Sequence, residues 1–455
     1  MVGTVSPAGI HELPPSPKNP LPFRQQLSAI RTFHTGLEIL RDAGGPVTRL
    51  KLAPSWLVPP VVVVTSPQGA RDVLGRGSGY IDKTRLHSEM RQLLGANLFD
   101  LTNEPWLPRR RALQPVFTKH HVRAFGGHMA QAAQTVAESW VDGTCVDLDA
   151  ECRRLTLRAL GRSVLGLNLD AHSDAIAEPL RVALKYIVDR VSPPISAPRW
   201  MPTPARRRAR AASDTLHHLA DQILQGCRAN PTCDAPLVQA LIAANDPATG
   251  RPLSDDEIRD ELVAFMLAGH DTTSTTLTYA LWALGNHPDM QDKVRAEVTE
   301  TGDGALTPEA VPALKYTVQV LHEALRLCPP VAAISRMALQ DIEVDGHLVE
   351  AGNILVVGIY ALHRDPALWD HPLVFDPDRF STPDSGGRDR WQYLPFGAGP
   401  RSCVGDHFAM LEATLALATV VRRAEICSID ADFPMIVPFT TVAAKPIRAQ
   451  VKARA

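Results

Sequence analysis

The chain has 455 residues, with 47 basic against 49 acidic and a net charge of −2, so no overall charge draws it towards nucleic acid. Its composition, 45% hydrophobic and 21% charged, is that of a globular protein, and no uninterrupted apolar run reaches the ~18 residues of a membrane span. The seven cysteines are odd in number and form no C-x-x-C pair, which argues for a reducing, cytoplasmic compartment and against a disulfide framework or zinc site.

Residues 1–22, with Pro14, Pro15, Pro17, Pro20 and Pro22, read as an extended arm without signal peptide or anchor, and 23–455 as one catalytic domain. Val47–Leu52 and Val58–Thr65 are β-rich runs split by Pro54, Pro59 and Pro60, which predicts a small sheet. Gly75-Arg76-Gly77-Ser78-Gly79 starts like a dinucleotide loop, but Tyr80 replaces the last glycine and no helical pattern follows, so it reads as a turn. Ser88–Trp106 reads as loop. A basic helix opens at Trp106, with Pro108 tolerable only in its first turn. Helical periodicity continues to about Leu184, breaks over Pro193, Pro194, Pro198, Pro202 and Pro204, and resumes from Arg206 to Arg228.

The spacing then predicts a helix from Asp255 to Asn286, roughly 48 Å long. Ser254 and Glu257 make its capping box, and His287-Pro288 stops it. Leu262–Gly285 is largely apolar, but Gly269-His270-Asp271-Thr272-Thr273-Ser274-Thr275-Thr276 interrupts it, as suits a buried helix rather than a membrane span. Another helix runs from Pro312 to Leu327, followed by short strands at Ile342–Val344, His347–Val349 and Asn353–Val357, with Asp345-Gly346 as a tight turn. Residues 361–394 look irregular, Asp406–Val421 helical, and Ile436–Val451 stranded again. The expected class is mainly α with small β-sheets.

Three stretches carry chemistry. In Phe396-x-x-Gly399-x-Arg401-x-Cys403-x-Gly405 one cysteine sits in a glycine-rich hairpin just ahead of a helix. The helix start offers unpaired N–H groups and a positive dipole end, which favour a thiolate. Gly399 and Gly405 leave room for a flat ligand, and Arg401 can reach an anionic group on it. In the long helix Ala264, Ala268 and Thr272 fall one turn apart, Gly269 offers a groove, and Asp271 and Thr272 supply a carboxyl and a hydroxyl for moving protons. A threonine-rich core helix with back-bonded hydroxyls would share this composition. Glu323-x-x-Arg326 sets opposite charges on one helical face between apolar neighbours, which favours burial; His322-Glu323 begins an HExxH zinc motif that Arg326 breaks.

In this order the segments resemble the cytochrome P450 family of haem-thiolate monooxygenases, over roughly residues 45–450. The resemblance implies the cytochrome P450 fold, with haem b (iron protoporphyrin IX) between the long central helix and the Cys403 loop and helix. Cys403 would be the iron ligand, Phe396 and Gly399 part of the haem loop, and Trp106, Arg110, Arg336 and Arg401 the propionate partners. Glu323, Arg326 and Arg379 would form a structural triad, with Asp378 where the family often has Glu; His363-Arg364-Asp365-Pro366 matches a further structural segment. Thr272, donating to oxygen, and Asp271 would be catalytic. The substrate pocket would be walled by Phe99, the 185–205 region, Ala264, Ala268, Val331, Ile334 and Phe439.

The implied reaction inserts one atom of dioxygen into an apolar substrate: a lipid, fatty acid, terpenoid or steroid. Two electrons would come from a ferredoxin or flavodoxin with an NAD(P)H reductase, since neither a complete G-x-G-x-x-G nor a C-x-x-C is present. Arg109, Arg111, Arg388 and Arg390 are the expected docking patch for that carrier. Two other classes share the cofactor. A haem-thiolate isomerase or peroxygenase would need no external electrons, and the intact Asp271-Thr272 pair counts against it; a non-catalytic haem or ligand sensor would consume no NAD(P)H.

Overall fold

The capping box at Ser254 forms in both directions: Glu257 N–H donates to Ser254 Oγ at 3.2 Å, and Ser254 N–H to the Glu257 carboxylate at 2.9 Å. The helix it starts spans Asp255–Asn286 in a computed structural model that describes residues 10–454 apart from 78, 167–173, 193–195, 231–232, 303 and 382–386. Most of this helix is buried. It packs against the helices Leu148–Leu160, Pro204–Ala229, Lys315–Leu327 and Asp406–Arg423, and the last of these also packs on Gly126–Glu138. Their apolar faces merge into one large core that includes Phe117, Leu155, Leu262, Met266, Leu321 and Leu415. Among the described residues, no helix is long and apolar enough to cross a membrane.

A five-stranded sheet lies at the periphery in the order 47–50, 61–64, 354–357, 334–338, 81–82. The run Val61–Val64 is buried on both faces and pairs in parallel with Ile354–Val357; its other neighbour, Val47–Leu50, is antiparallel. The Asp345-Gly346 turn closes the hairpin Ile342–Val344/His347–Val349 with both residues at positive φ, 49° and 77°. Arm residues 14–19 run extended along this region: Leu348 N–H donates to the Pro14 carbonyl at 2.8 Å and Arg49 N–H to the Pro17 carbonyl at 2.7 Å. Arm residues 1–9 and the Pro193-Pro194 break lie outside the described residues.

Several expectations are corrected. Ser88–Trp106 is not all loop, because Arg85–Leu94 is a helix and the next begins at Asn103. Thr84 N–H donates to His87 Nδ1 at 3.2 Å, so a histidine does the work of the glutamate that usually signals a helix start. Pro108 is the sixth residue of Asn103–Leu113, past the first turn, where its missing N–H costs an intrahelical bond. A strand at Ile334–Ala338 was not expected, and it joins the sheet antiparallel to 354–357. Cys227 and Cys233, expected as free thiols, are joined as a disulfide.

Candidate active site

The loop ahead of Asp406–Arg423 depends on two glycines in the left-handed region, Gly397 at φ 66° and Gly399 at φ 72°. A side chain at Gly399 would meet the Leu74 carbonyl oxygen at 1.9 Å, so the loop can approach the 67–74 helix only with glycine there. Cys403 N–H donates to the Phe396 carbonyl at 2.9 Å, closing the hairpin, and Gly405 N–H donates to Cys403 Sγ at 3.3 Å. Cys403 is exposed, yet protein surrounds it, as at the wall of an internal cleft. Burial pushes its thiol pKa up, against the expected lowering by the helix start; the Gly405 N–H and the Arg110 charge pull the other way.

Beside the loop, Trp106, Arg336, Arg401 and Lys83 line one cavity with Asp82 and Asn103. The Arg401 guanidinium lies 4.3 Å from the Trp106 ring centre and donates to the Leu101 carbonyl at 2.7 Å. Burial brings Arg336 down to about 10, and burial plus the Arg336 charge does the same to Arg401. Lys83 is lowered too, by burial and then by both arginines. Three crowded cations facing chiefly Asp82 and Asp100 fit a ligand with two buried carboxylates, as haem has. Lys83 belongs to no motif, which is why the sequence did not reveal it. Arg110 departs from the expected set: it is not among this cavity's lining residues, and its Nη1 donates to the Ser402 carbonyl at 3.1 Å.

On the long helix Ala264, Ala268 and Thr272 keep exposure along one face of an otherwise buried element. The Thr272 hydroxyl donates back to the Ala268 carbonyl at 2.7 Å, so at rest its proton is committed within the helix and its oxygen is the group left to accept. Asp271 turns to Arg153 at 2.5 Å, and Arg153 also holds Asp149 at 2.8 Å. Gly269 does not open a groove: a Cβ there would meet Leu160 Cδ1 at 3.0 Å, so the glycine serves close packing on the 148–160 helix. Glu412, also overlooked in the sequence, is buried two turns into the Cys403 helix, interacts with Thr273 and is pushed by burial to about 8.

The charged triad forms below the loop. Arg326 is bidentate on Glu323, with Nε and Nη2 each at 2.7 Å and both side chains fully buried. Arg379 Nε reaches Glu323 at 3.3 Å, and Asp376 N–H adds a bond at 2.9 Å. Arg326 also donates to the carbonyls of His363 (2.9 Å), Pro372 (2.7 Å) and Val374 (3.2 Å). Burial drops His363 to about 3, so the ring is neutral and its Nε2 accepts from Leu394 N–H at 2.8 Å. The Leu394 carbonyl takes Gly397 N–H at 3.0 Å, which ties the triad to the cysteine loop.

Of the expected pocket residues, Phe99 stacks near His87 (5.5 Å) and Phe439 (6.3 Å), and Ile334 packs at Gly397. Strand alternation puts Ile334 and Arg336 on one side. Val331 is exposed and Phe439 half-buried. The docking patch does not survive as drawn. Arg109 is buried against Glu257 and Glu261, at 2.8 Å each, Arg111 is bidentate on Asp246, and Arg388 lies over Trp369 and Phe380. Successive helical residues point ~100° apart, so the basic triplet 109–111 serves three separate partners instead of one face. Arg390 is the member left exposed.

Residues 14–453 match the sequence profile of the family described as Cytochrome P450. Cyclooctat-9-en-7-ol 5-monooxygenase of Streptomyces melanosporofaciens is 32% identical over 84% of this chain and 82% of its own. The ultra-long-chain fatty acid omega-hydroxylase of Homo sapiens is 29% identical, over 81% and 75% respectively. The crystal structure of the cytochrome P450DA haem domain superposes with a TM-score of 0.86 at 25% identity, covering 97% of this chain and 98% of that one. With a matching profile over nearly its whole length, a cysteine loop set against a cationic cavity and the same fold, this chain belongs to the cytochrome P450 family and is a haem-dependent, oxygen-incorporating oxidoreductase that works with a redox partner.

Proposed function

We propose that Cys403 is the thiolate ligand of the haem iron, with Trp106, Arg336, Arg401 and Lys83 around the propionates and Arg110 steadying the loop through the Ser402 carbonyl. Held there, haem would supply the oxygen-activating chemistry of its family, in which two electrons from outside let one oxygen atom enter the substrate and the other leave as water. The observation that carries this reading is the convergence of the Cys403 loop and a surplus of buried cations in one cavity wall. On the opposite side Thr272 and Asp271 handle protons. The Thr272 oxygen accepts while its own O–H stays donated to the Ala268 carbonyl, and Asp271 carries a proton inward only on leaving Arg153. The triad Glu323–Arg326–Arg379 keeps the loop in place and takes no part in the chemistry.

The substrate is apolar: a fatty acid or other lipid, a terpenoid or a steroid. The small side chains of Ala264 and Ala268 and the apolar Phe99, Ile334, Val331 and Phe439 support this, as do the activities of the cyclooctat-9-en-7-ol monooxygenase and fatty acid omega-hydroxylase relatives. The electron carrier is a ferredoxin or flavodoxin with an NAD(P)H reductase, in the cytoplasm, acting on one catalytic domain over 23–455. Titrating the ferric protein with these lipid classes, then reconstituting it with each carrier, tests the reading. A spectral shift followed by NAD(P)H-dependent product is expected; NAD(P)H-independent turnover would favour a peroxygenase or isomerase instead.

A further inference from the structure

The loop between the 85–94 and 103–113 helices, Gly95–Asp100 with its neighbours, carries Phe99 and is gripped by two consecutive carboxylates of the long helix. Asp260 accepts from Ala96 N–H at 2.8 Å, and Glu261 accepts from Leu98 N–H at 2.9 Å. Both carboxylates are buried. Neighbouring helical residues diverge by ~100°, so two such grips fix the loop's tilt as well as its position. The first grip requires a glycine: Gly95 has φ +83°, and a Cβ there would meet Asp260 Cγ at 2.3 Å. Within the loop, Asn97 Nδ2 donates to the Gly95 carbonyl and to Asp100, each at 3.2 Å, while Phe99 N–H donates to Asn97 Oδ1 at 3.0 Å. The piece that the long helix holds is therefore already stiff.

The two acids have other neighbours, but these do not explain the arrangement. Arg109 meets Glu261 at 2.8 Å and keeps Glu257 at the same distance, so it would stay paired without Glu261. Asp260 has Arg259 Nη2 at 3.3 Å and His217 Nε2 at 3.7 Å from its Oδ1. Burial pushes Glu261 up to about 8, so the long helix keeps a costly carboxyl where it faces this loop. Ala264, Ala268 and Thr272 follow Glu261 on the same helix at successive turns.

We propose that Asp260 and Glu261 are positioning residues that set the enzyme's selectivity for substrate shape, by fixing Phe99 relative to the Ala264–Ala268–Thr272 face. The Phe99 ring lies 5.5 Å from that of His87 and 6.3 Å from that of Phe439, with Lys83 Nζ 4.9 Å from its centre. The grips set the width of the cleft at one end without touching what binds there. This rests on the reading of Phe99 as a wall of the substrate cleft.

The test uses the haem-loaded protein and azoles, which bind whatever the natural substrate is. Imidazole reports access alone; clotrimazole also needs the wall. Asp260→Ala and Glu261→Ala should speed hydrogen exchange at the Ala96 and Leu98 amides and change clotrimazole affinity by roughly tenfold, the scale of one lost hydrogen bond. Imidazole affinity and the reduced carbon-monoxide spectrum should stay as they are. Asp260→Asn and Glu261→Gln keep an acceptor and should restore the wild-type ratio. Phe99→Ala, which leaves the grips intact, should change that ratio by itself. If Phe99→Ala leaves the ratio unchanged, the cleft reading and this inference both fail. If Phe99→Ala moves it while the freed loop of the alanine variants does not, the inference alone is overturned; amides that exchange no faster overturn it as well, with or without haem bound.

Discussion

Replacing Arg326 by alanine removes five donated hydrogen bonds at once, two to Glu323 and three to the carbonyls of His363, Pro372 and Val374. Glu323 would keep Arg379 at 3.3 Å and Asp376 N–H at 2.9 Å, in a site with no exposure of its own. Breaking a buried pair from one side costs about 3–5 kcal/mol. The stripped carbonyls add to that unless water enters. Against a total stability of about 5–15 kcal/mol this is a large fraction. Because the His363 carbonyl is among the orphaned groups and His363 Nε2 holds Leu394 N–H, the damage should spread to the cysteine loop. Urea unfolding of Arg326→Ala should show a lowered midpoint, and haem content per chain should fall on purification. Arg326→Lys should rescue only part, since an ammonium cannot span both Glu323 oxygens and three carbonyls. Full haem content and an unshifted midpoint in Arg326→Ala would refute the argument.

Cys403→Ala should abolish the red-shifted Soret band of the reduced carbon-monoxide complex; a retained band would remove Cys403 as the ligand. Lys83→Met should speed haem transfer to apomyoglobin by relieving the propionates of a cation, and an unchanged rate would place Lys83 outside the cavity's function. Thr272→Ala loses only a back-bond to Ala268, so stability should hold while NAD(P)H consumption drains into peroxide; unchanged coupling would count against the hydroxyl. Glu412 gives a pH prediction. Its folded pKa is raised from 4.5 to about 8, so between those values the folded chain keeps a proton that the unfolded chain releases. That contribution to stability is complete below the lower value and fades as pH rises, by up to about 1.4 kcal/mol per pH unit. Glu412→Gln should flatten this part of the stability–pH curve, and identical slopes in urea unfolding would show that Glu412 is not buried as described.

What was legible in the sequence depended on how far apart the interacting residues lie. The capping box at Ser254 and Glu257 and the Asp345-Gly346 turn are decided by partners within a few residues, and each formed as read. Of the two glycines read beside Cys403, by contrast, only Gly399 takes a positive φ, and its room is filled by the distant Leu74 carbonyl. The strand Ile334–Ala338 has no such local signal. It exists because Ile354–Val357 lies alongside, about twenty residues later, and Arg336 interrupts the apolar alternation that would have announced it. The 85–94 helix was missed because His87 fills the place of a capping glutamate. The disulfide was missed because spacing alone cannot tell a six-residue cysteine pair from two free thiols.

Charged residues were the hardest to read, for a physical reason. A motif fixes the identity of an arginine but not the direction its long side chain takes, and burial makes that direction decisive. Arg109, Arg110 and Arg111 are consecutive, yet one neutralises the acids of the long helix, one caps the Ser402 carbonyl and one grips Asp246. Arg336 and Arg401, 65 positions apart, instead converge with Lys83 on a single cavity. That convergence is uncomfortable for the chain alone, since each cation lowers the proton affinity of the next. The haem propionates proposed to lie there would relieve it. On that proposal the cost the polypeptide carries at Lys83, Arg336 and Arg401 is the counterpart of the propionate charges, and haem binding should stabilise the fold as much as the fold orients the haem.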